Sequence, residues 1–226
     1  MTREEVVARL EAAGFASGPD GPAAPTPPFS QDAAFRAAPP RRSDFDLLPD
    51  GRPAFANGRA LKPAGVLVAL VARAEGPTIL LTQRTRHLKH HAGQIAFPGG
   101  RREPGDADIL ETALRETEEE VGLDRRLVEV LGRLEVYETT SAYAVTPVIG
   151  WVEPPFNLTV DPFEVEEAFE VPLAFVLDPA NHKRETMFRD GLQRHYYVLP
   201  YGDYRIWGAT AGMLVNLHDT LMGAPC

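Results

Sequence analysis

Three carboxylates in this chain are spaced to act together: Glu116, Glu119 and Glu120, in the run Arg115-Glu116-Thr117-Glu118-Glu119-Glu120-Val121-Gly122-Leu123. Residues three and four apart are neighbours on a helix surface, so Glu116 shares one flank with Glu119 and Glu120. Like charges at that spacing destabilise an isolated helix by roughly 0.2–0.5 kcal/mol per pair. A cation is expected to offset that repulsion. Converging oxygen donors suit a hard divalent ion, Mg2+ or Mn2+. Arg115 lies one turn after Glu111 and one turn before Glu119, and can brace the cluster with either. Taken alone, the run also fits a solvated acidic helix, as most charge runs are.

The element that must hold these residues is a helix fed by a glycine loop. Asp106 or Asp108 can cap its start, with Glu111 three residues after Asp108 as in a capping box. Leu110, Ala113, Leu114, Thr117 and Val121 recur at helical spacing and form a stripe to bury. Gly122 supplies the stop. Upstream, the Pro98-Gly99-Gly100 turn lets backbone groups approach ions and phosphates without side-chain obstruction.

Glycine loop, Arg-Glu pair and Glu-Glu-x-Gly-Leu end together resemble the Nudix box of Nudix hydrolases, whose helix holds divalent metals against a diphosphate. The resemblance implies an α/β fold, a Nudix-type α/β/α sandwich with a mixed sheet. It also implies metal ligation by Glu116, Glu119 and Glu120, with Arg115 in the catalytic cluster. The box usually carries Glu six residues after its glycine. Here Gly100 plus six is Asp106, and the gap to Arg115 is one residue longer than usual. Asp106, Asp108 and Glu111 all remain open for the first acidic role.

From Gly76 to Arg102 there is no acidic residue, although the chain as a whole is acidic. The same segment holds Arg84, Arg86, Lys89, Arg101 and Arg102. Remote phosphates of an anionic substrate require such cations, and Arg offers a bidentate grip. An exposed basic loop is the plain alternative. Leu80-Leu81-Thr82-x-Arg84-Thr85, Lys89, Gly93 and Phe97-Pro98-Gly99-Gly100 resemble the motif preceding the box in the coenzyme A pyrophosphatase branch. Thr85 stands for the usual Ser or Ala, and Lys89 for the usual Arg. The resemblance implies cleavage of coenzyme A or an acyl derivative to 3′,5′-ADP and 4′-phosphopantetheine or its acylated form. Arg84, Lys89, Gly99 and Gly100 are the expected substrate-binding residues. His87, His90 and His91 lack zinc-site spacing and a cysteine partner, and read as surface or phosphate-adjacent residues.

Two later stretches add candidates. Tyr137 to Tyr143 is a polar, aromatic loop that either lines the pocket or is a simple turn. Asp161 to Glu170, followed by Val171-Pro172-Leu173, resembles a late family stretch whose acidic residue approaches metal or water. Glu164 is the first choice there and Glu167 the second, with solvated loop charge as the alternative. Glu119 or Glu164 is the expected acceptor of the attacking water's proton.

Composition bounds the rest. The chain has 226 residues, 44% of them hydrophobic, enough for a real core, and a net charge of −9 that argues against nucleic-acid or anionic-membrane binding. The single cysteine, Cys226, allows no internal disulfide. No apolar run reaches the roughly 18 residues of a membrane span. The expectation is a cytoplasmic protein acting on a small-molecule substrate, with a homodimer plausible by analogy alone.

The organisation reads as an N-terminal extension over residues 1–60 and a Nudix hydrolase domain over 61–222. Thr2 to Ala13 is expected to be a short helix, followed by an irregular Pro/Ala/Gly-rich connection from Gly14 to Pro40. Asp44 to Asn57 reads as loop or hairpin. Strands are expected at 64–72, 78–83, 95–97, 127–137 and 143–151, with Pro147 marking an edge or bulge. Residues 165–177 are expected to include a turn and a short helix, 183–189 and 193–199 read as a hairpin around Asp190-Gly191, and 210–222 as a closing helix. Two further readings stay open: a Nudix hydrolase of another nucleoside diphosphate derivative such as ADP-ribose, and a catalytically silent ligand-binding module.

Overall fold

The computed structural model describes residues 1–15, 42–48, 56, 58–88, 91–189 and 192–223. The Gly14–Pro40 connection (beyond Phe15), the Pro49-Asp50-Gly51 turn, Lys89, His90, Asp190-Gly191 and Cys226 lie outside the described residues.

The apolar run after Lys62 forms the central strand β2 (Lys62–Val71). β2 pairs in parallel with β8 (Tyr143–Val152) along its whole length, and antiparallel with β3 (Thr78–Arg84) and β5 (Gly99–Arg101). β3 carries β4 (Ile95–Ala96) and β9 (Val165–Pro172). β8 carries β6 (Val128–Arg133) and β7 (Tyr137–Glu138), and β7 pairs with β1 (Arg42–Ser43). Among the described residues the result is a nine-stranded mixed sheet. β10 (Lys183–Arg189), β11 (Leu192–Tyr201) and β12 (Tyr204–Trp207) form a separate three-stranded antiparallel sheet.

Helices cover both faces of the main sheet because both faces of β2 and β8 are apolar. Leu67, Ala69, Val71, Val148 and Val152 bury one face against Ala113 and Val121 of helix α2 (Ile109–Val121). Val68, Leu70, Ile79, Leu81 and Ile149 bury the other with Leu214, Leu217 and Leu221 of α4 (Ala209–Met222). Val6 and Leu10 of α1 (Arg3–Ala12) are fully buried in that same cluster, so the N-terminal helix shares the core of the domain it precedes. This is the expected α/β/α sandwich. Close helix-to-sheet approach needs Gly65, where an added Cβ would lie 2.6 Å from the Ile109 carbonyl.

Several local expectations need correction. Of the two expectations for Pro147, the edge is overturned, since it lies inside the sheet opposite Val66, while an irregularity in the pairing is met. Pro147 occupies the point where the neighbour of β8 changes from β6, at Val148–Arg133, to β7, at Val145–Tyr137. The short helix expected within 165–177 is Leu173–Val176 (α3), but residues 165–172 before it form a strand, β9, that was not expected. The stretch 127–137 is β6 and β7 separated by residues 134–136, and the Gly99-Gly100 turn itself enters a short strand. Leu110 and Leu114 are half-buried, while Ile109 and Thr112 join the buried stripe.

Candidate active site

Helix α2 begins at Asp108, whose side chain accepts from the Glu111 amide at 2.9 Å. Glu111 reaches back to the Ala107 amide at 2.6 Å, one residue beyond a regular capping box. Gly122, at φ 69°, ends the helix in the left-handed conformation that favours glycine. The three acids left open by sequence therefore separate cleanly. Asp108 caps, Glu111 ties the entering loop, and Asp106 meets Arg115.

Asp106 is buried and accepts from Arg115 Nε at 2.8 Å and Nη2 at 3.0 Å, from Thr112 Oγ1 at 2.8 Å and from the Glu103 amide at 2.9 Å. These donors, the Arg115 guanidinium foremost, hold its carboxyl well below the usual carboxylate range despite burial. Arg115 also reaches Glu116 at 3.1 Å and Glu119 at 2.9 Å. It braces the cluster through Asp106, Glu116 and Glu119, not through Glu111. Arg102 turns to the loop, donating to the Asp106 and Ala107 carbonyls at 3.0 and 3.1 Å.

Glu120 is 5% exposed. Its Oε2 accepts from the Gly99 amide at 3.0 Å and its Oε1 from Arg84 Nη1 at 3.2 Å. Burial pushes its pKa up to about 7; the Gly99 amide and Arg84 pull it down, while the Glu164 and Glu116 charges add to the rise. Glu116 is raised too, chiefly by burial. Its carboxylate rests against Gly100, where an added Cβ would meet Cδ and Oε2 at 2.5 Å. Gly99 and Gly100 thus serve the glutamates by close backbone approach. Replacing Gly100 by Ala forces the flexible Glu116 end aside. The expected result is a fall in kcat of about 10²-fold with little change in melting temperature, checked by steady-state kinetics and thermal melts of the same preparation.

The fourth carboxylate comes from the turn before β9. The Asp161 amide donates to the Glu120 carbonyl at 2.9 Å, the Thr85 amide to the Glu164 carbonyl at 3.0 Å, and Thr85 Oγ1 to the Phe163 carbonyl at 2.8 Å. Thr85 therefore fastens this turn beside the end of β3. Arg84 Nη2 lies 3.5 Å from Glu164 Oε2, so one guanidinium spans Glu120 and Glu164. Arg84 was expected at substrate phosphates, and the structure places it among the carboxylates. Glu119 is the most exposed of the four. Glu167 lies beside the Tyr204 hydroxyl on β12, away from this cluster.

Tyr137 and Thr140 line a cavity of about 120 Å3 with Asp44, Tyr197, Trp207 and Gly208, and none of the four glutamates borders it. Of the two readings of residues 137–143, the turn is met between β7 and β8, and the cavity the stretch lines is separate from the carboxylate cluster. His87 packs against Phe163 with ring centroids 4.9 Å apart and planes tilted by 58°, and His91 bonds Gln94 at 2.8 Å. Among the described residues, no three acidic or histidine side chains already converge on one ion position. Arg84 and Arg115 neutralise the glutamates instead. The donor set still fits a hard divalent ion: it is all oxygen, and the buried Glu120 carries charge that Arg84 and the Gly99 amide only partly offset. No described helix is long and apolar enough to cross a membrane.

Comparison with known proteins identifies the family to which the chain belongs. Residues 61–190 match the NUDIX domain family. The Nudix hydrolase NudL of Photorhabdus laumondii is 41% identical over 154 residues, 68% of this chain and 82% of its own length. NudL of Yersinia pestis (strain Pestoides F) is 40% identical, over 68% and 77%. The Nudix hydrolase RenU from M. smegmatis superposes with a TM-score of 0.51 at 16% identity, covering 74% of this chain and 90% of its own, a likeness of fold. The chain belongs to the Nudix family: it is a Nudix hydrolase, a pyrophosphatase acting on nucleoside diphosphate derivatives.

Proposed function

We propose that this chain hydrolyses the diphosphate linkage of coenzyme A or an acyl-coenzyme A, giving 3′,5′-ADP and 4′-phosphopantetheine or its acylated form. One observation carries the reading. The acid-free segment that resembles the coenzyme A branch delivers Arg84 and Thr85 directly to the carboxylate cluster. Glu116, Glu119 and Glu120 would hold Mg2+ or Mn2+. Such an ion neutralises the diphosphate and lowers the pKa of bound water.

The chain's own residues do the remaining work. The Gly99 amide fixes the orientation of Glu120, and the bare Gly100 Cα leaves room for Glu116. Arg115, itself locked by Asp106, orients Glu116 and Glu119. Glu164 accepts the proton of the attacking water as its oxygen bonds to phosphorus and the bridging P–O bond breaks. Glu119 is the poorer acceptor because Arg115 already holds it at 2.9 Å. Arg84 and Lys89 are assigned to phosphates of the substrate, including the ribose 3′-phosphate.

The test compares kcat/KM for coenzyme A, 3′-dephospho-coenzyme A and ADP-ribose, with Mg2+ and in excess chelator, for the parent, Arg84→Ala and Lys89→Ala. Coenzyme A should lead in the parent, and chelation should abolish turnover. Each variant should lose about ten- to a hundred-fold of the preference for the 3′-phosphate. An unchanged ratio in both variants removes these cations from 3′-phosphate reading. A parent that prefers ADP-ribose replaces the coenzyme A assignment.

A further inference from the structure

Both oxygens of Glu120 are engaged, and the two partners differ in kind. The Gly99 amide, 3.0 Å from Oε2, belongs to a backbone fixed by the pairing of β5 with β2. The Arg84 guanidinium, 3.2 Å from Oε1, sits on a long, partly exposed side chain at the last residue of β3. Its other nitrogen reaches Glu164 at 3.5 Å, so the same cation neutralises a helix carboxylate and a turn carboxylate. An ion ligated through Oε1, the Glu120 oxygen that is not tied to fixed backbone, would meet the Arg84 guanidinium there. Two cations crowded onto one carboxylate oxygen repel strongly in a partly buried site.

The geometry points to Arg84 as a resident counter-ion that a divalent metal must displace from Glu120; this rests on the metal-dependent reading above. Metal affinity is then a difference between the metal–carboxylate interaction gained and the Arg84–Glu120 interaction lost. The displaced guanidinium stays tethered at the end of β3, where it is available to a phosphate. Exchange and simple positioning make opposite demands. If Arg84 only positioned Glu120, its removal would loosen the site and weaken metal binding. If Arg84 competes, its removal tightens metal binding.

The experiment titrates the full chain with Mn2+ alone and follows free Mn2+ by electron paramagnetic resonance. Arg84→Gln and Arg84→Met should bind Mn2+ about ten-fold more tightly than the parent. Arg86→Gln removes an equal charge from an exposed side chain 3.9 Å from Glu166, and should change affinity by less than about threefold. In the parent, the Arg84 Nε–H resonance should shift when Mg2+ is added, a readout independent of how the variants fold. Equal or weaker Mn2+ binding in both Arg84 variants, an equal gain in Arg86→Gln, or an unmoved resonance overturns the exchange while the parent's own Mn2+ binding leaves the metal-dependent reading standing. A parent that binds no Mn2+ removes both.

Discussion

Replacing Glu120 by Gln is expected to lower kcat by about 10²–10³-fold while leaving the melting temperature at pH 8 unchanged or higher. The catalytic loss follows from removing a charged oxygen from the place where transition-state charge is neutralised. The stability result has a separate cause. Glu120 is nearly fully buried, and its folded pKa of about 7 lies above the unfolded value. A carboxyl raised in this way favours folding when protonated, and that contribution is lost as pH rises through about 7. Gln keeps the shape and the oxygen facing the Gly99 amide but carries no charge to bury. Arg84 keeps Glu164 as a partner. Kinetics at saturating Mg2+ and melts at pH 6 and 8 check both halves. Near-parental kcat would return Glu120 to a structural role, and a large loss of melting temperature at pH 8 would contradict the burial argument.

Asp106→Asn should produce the largest loss of stability, about 3 kcal/mol, or roughly 6–12 °C in melting temperature for a domain of this size. Asp106 joins four donors from the loop and the first two turns of α2. Asn offers one acceptor oxygen and leaves the mostly buried Arg115 short of its principal counter-charge. The pH dependence has the opposite sign to that of Glu120. The folded pKa of Asp106 is depressed, so its contribution is present above the unfolded value of about 4 and is lost as pH falls through the lower folded value. Parent and variant melting temperatures should therefore converge in acid. A gap that stays constant down to about pH 2 would show that the loss arises from packing alone. kcat should fall as well, because Arg115 loses the anchor from which it orients Glu116 and Glu119.

The parts of this site legible in sequence are those where chemistry and helical period coincide. The carboxylate spacing, the Asp108 cap and the Gly122 stop all belong to one helix, and local pattern specifies a helix. The sandwich was legible for the same reason, since the apolar runs of β2 and β8 and the hairpin of β10 and β11 are local signals. β9 was not legible. Glu166 and Glu167 interrupt its apolar alternation, and its strand character comes from pairing with β3 along Thr78–Arg84. β5 carries two glycines and exists through backbone pairing with β2, where Gly99 passes so near that a Cβ would lie 2.4 Å from the Gly65 carbonyl. The place of Arg84 between Glu120 and Glu164 depends on how that turn docks, which no spacing along the chain encodes. Pro147 is tolerated in a central strand because it falls at the junction between two partners. A proline in a strand reads from sequence as an edge or a bulge, and local pattern does not choose between them.

The parallel pairing of β2 with β8 bears on how the protein is made. β2 emerges from the ribosome as a bare apolar strand, and its full-length neighbour, Tyr143–Val152, follows only after the box helix and β6 have been synthesised. β3 waits longer still for β9, although it carries Arg84 and leads directly into Thr85. Sequence-distant pairings of this kind slow folding and prolong the exposure of sticky strands. The nascent polypeptide thus passes through a stage in which Glu116, Glu119 and Glu120 have been synthesised while the turn bearing Glu164 has yet to be translated. The four-carboxylate cluster is completed late in synthesis, with the docking of that turn onto Thr85.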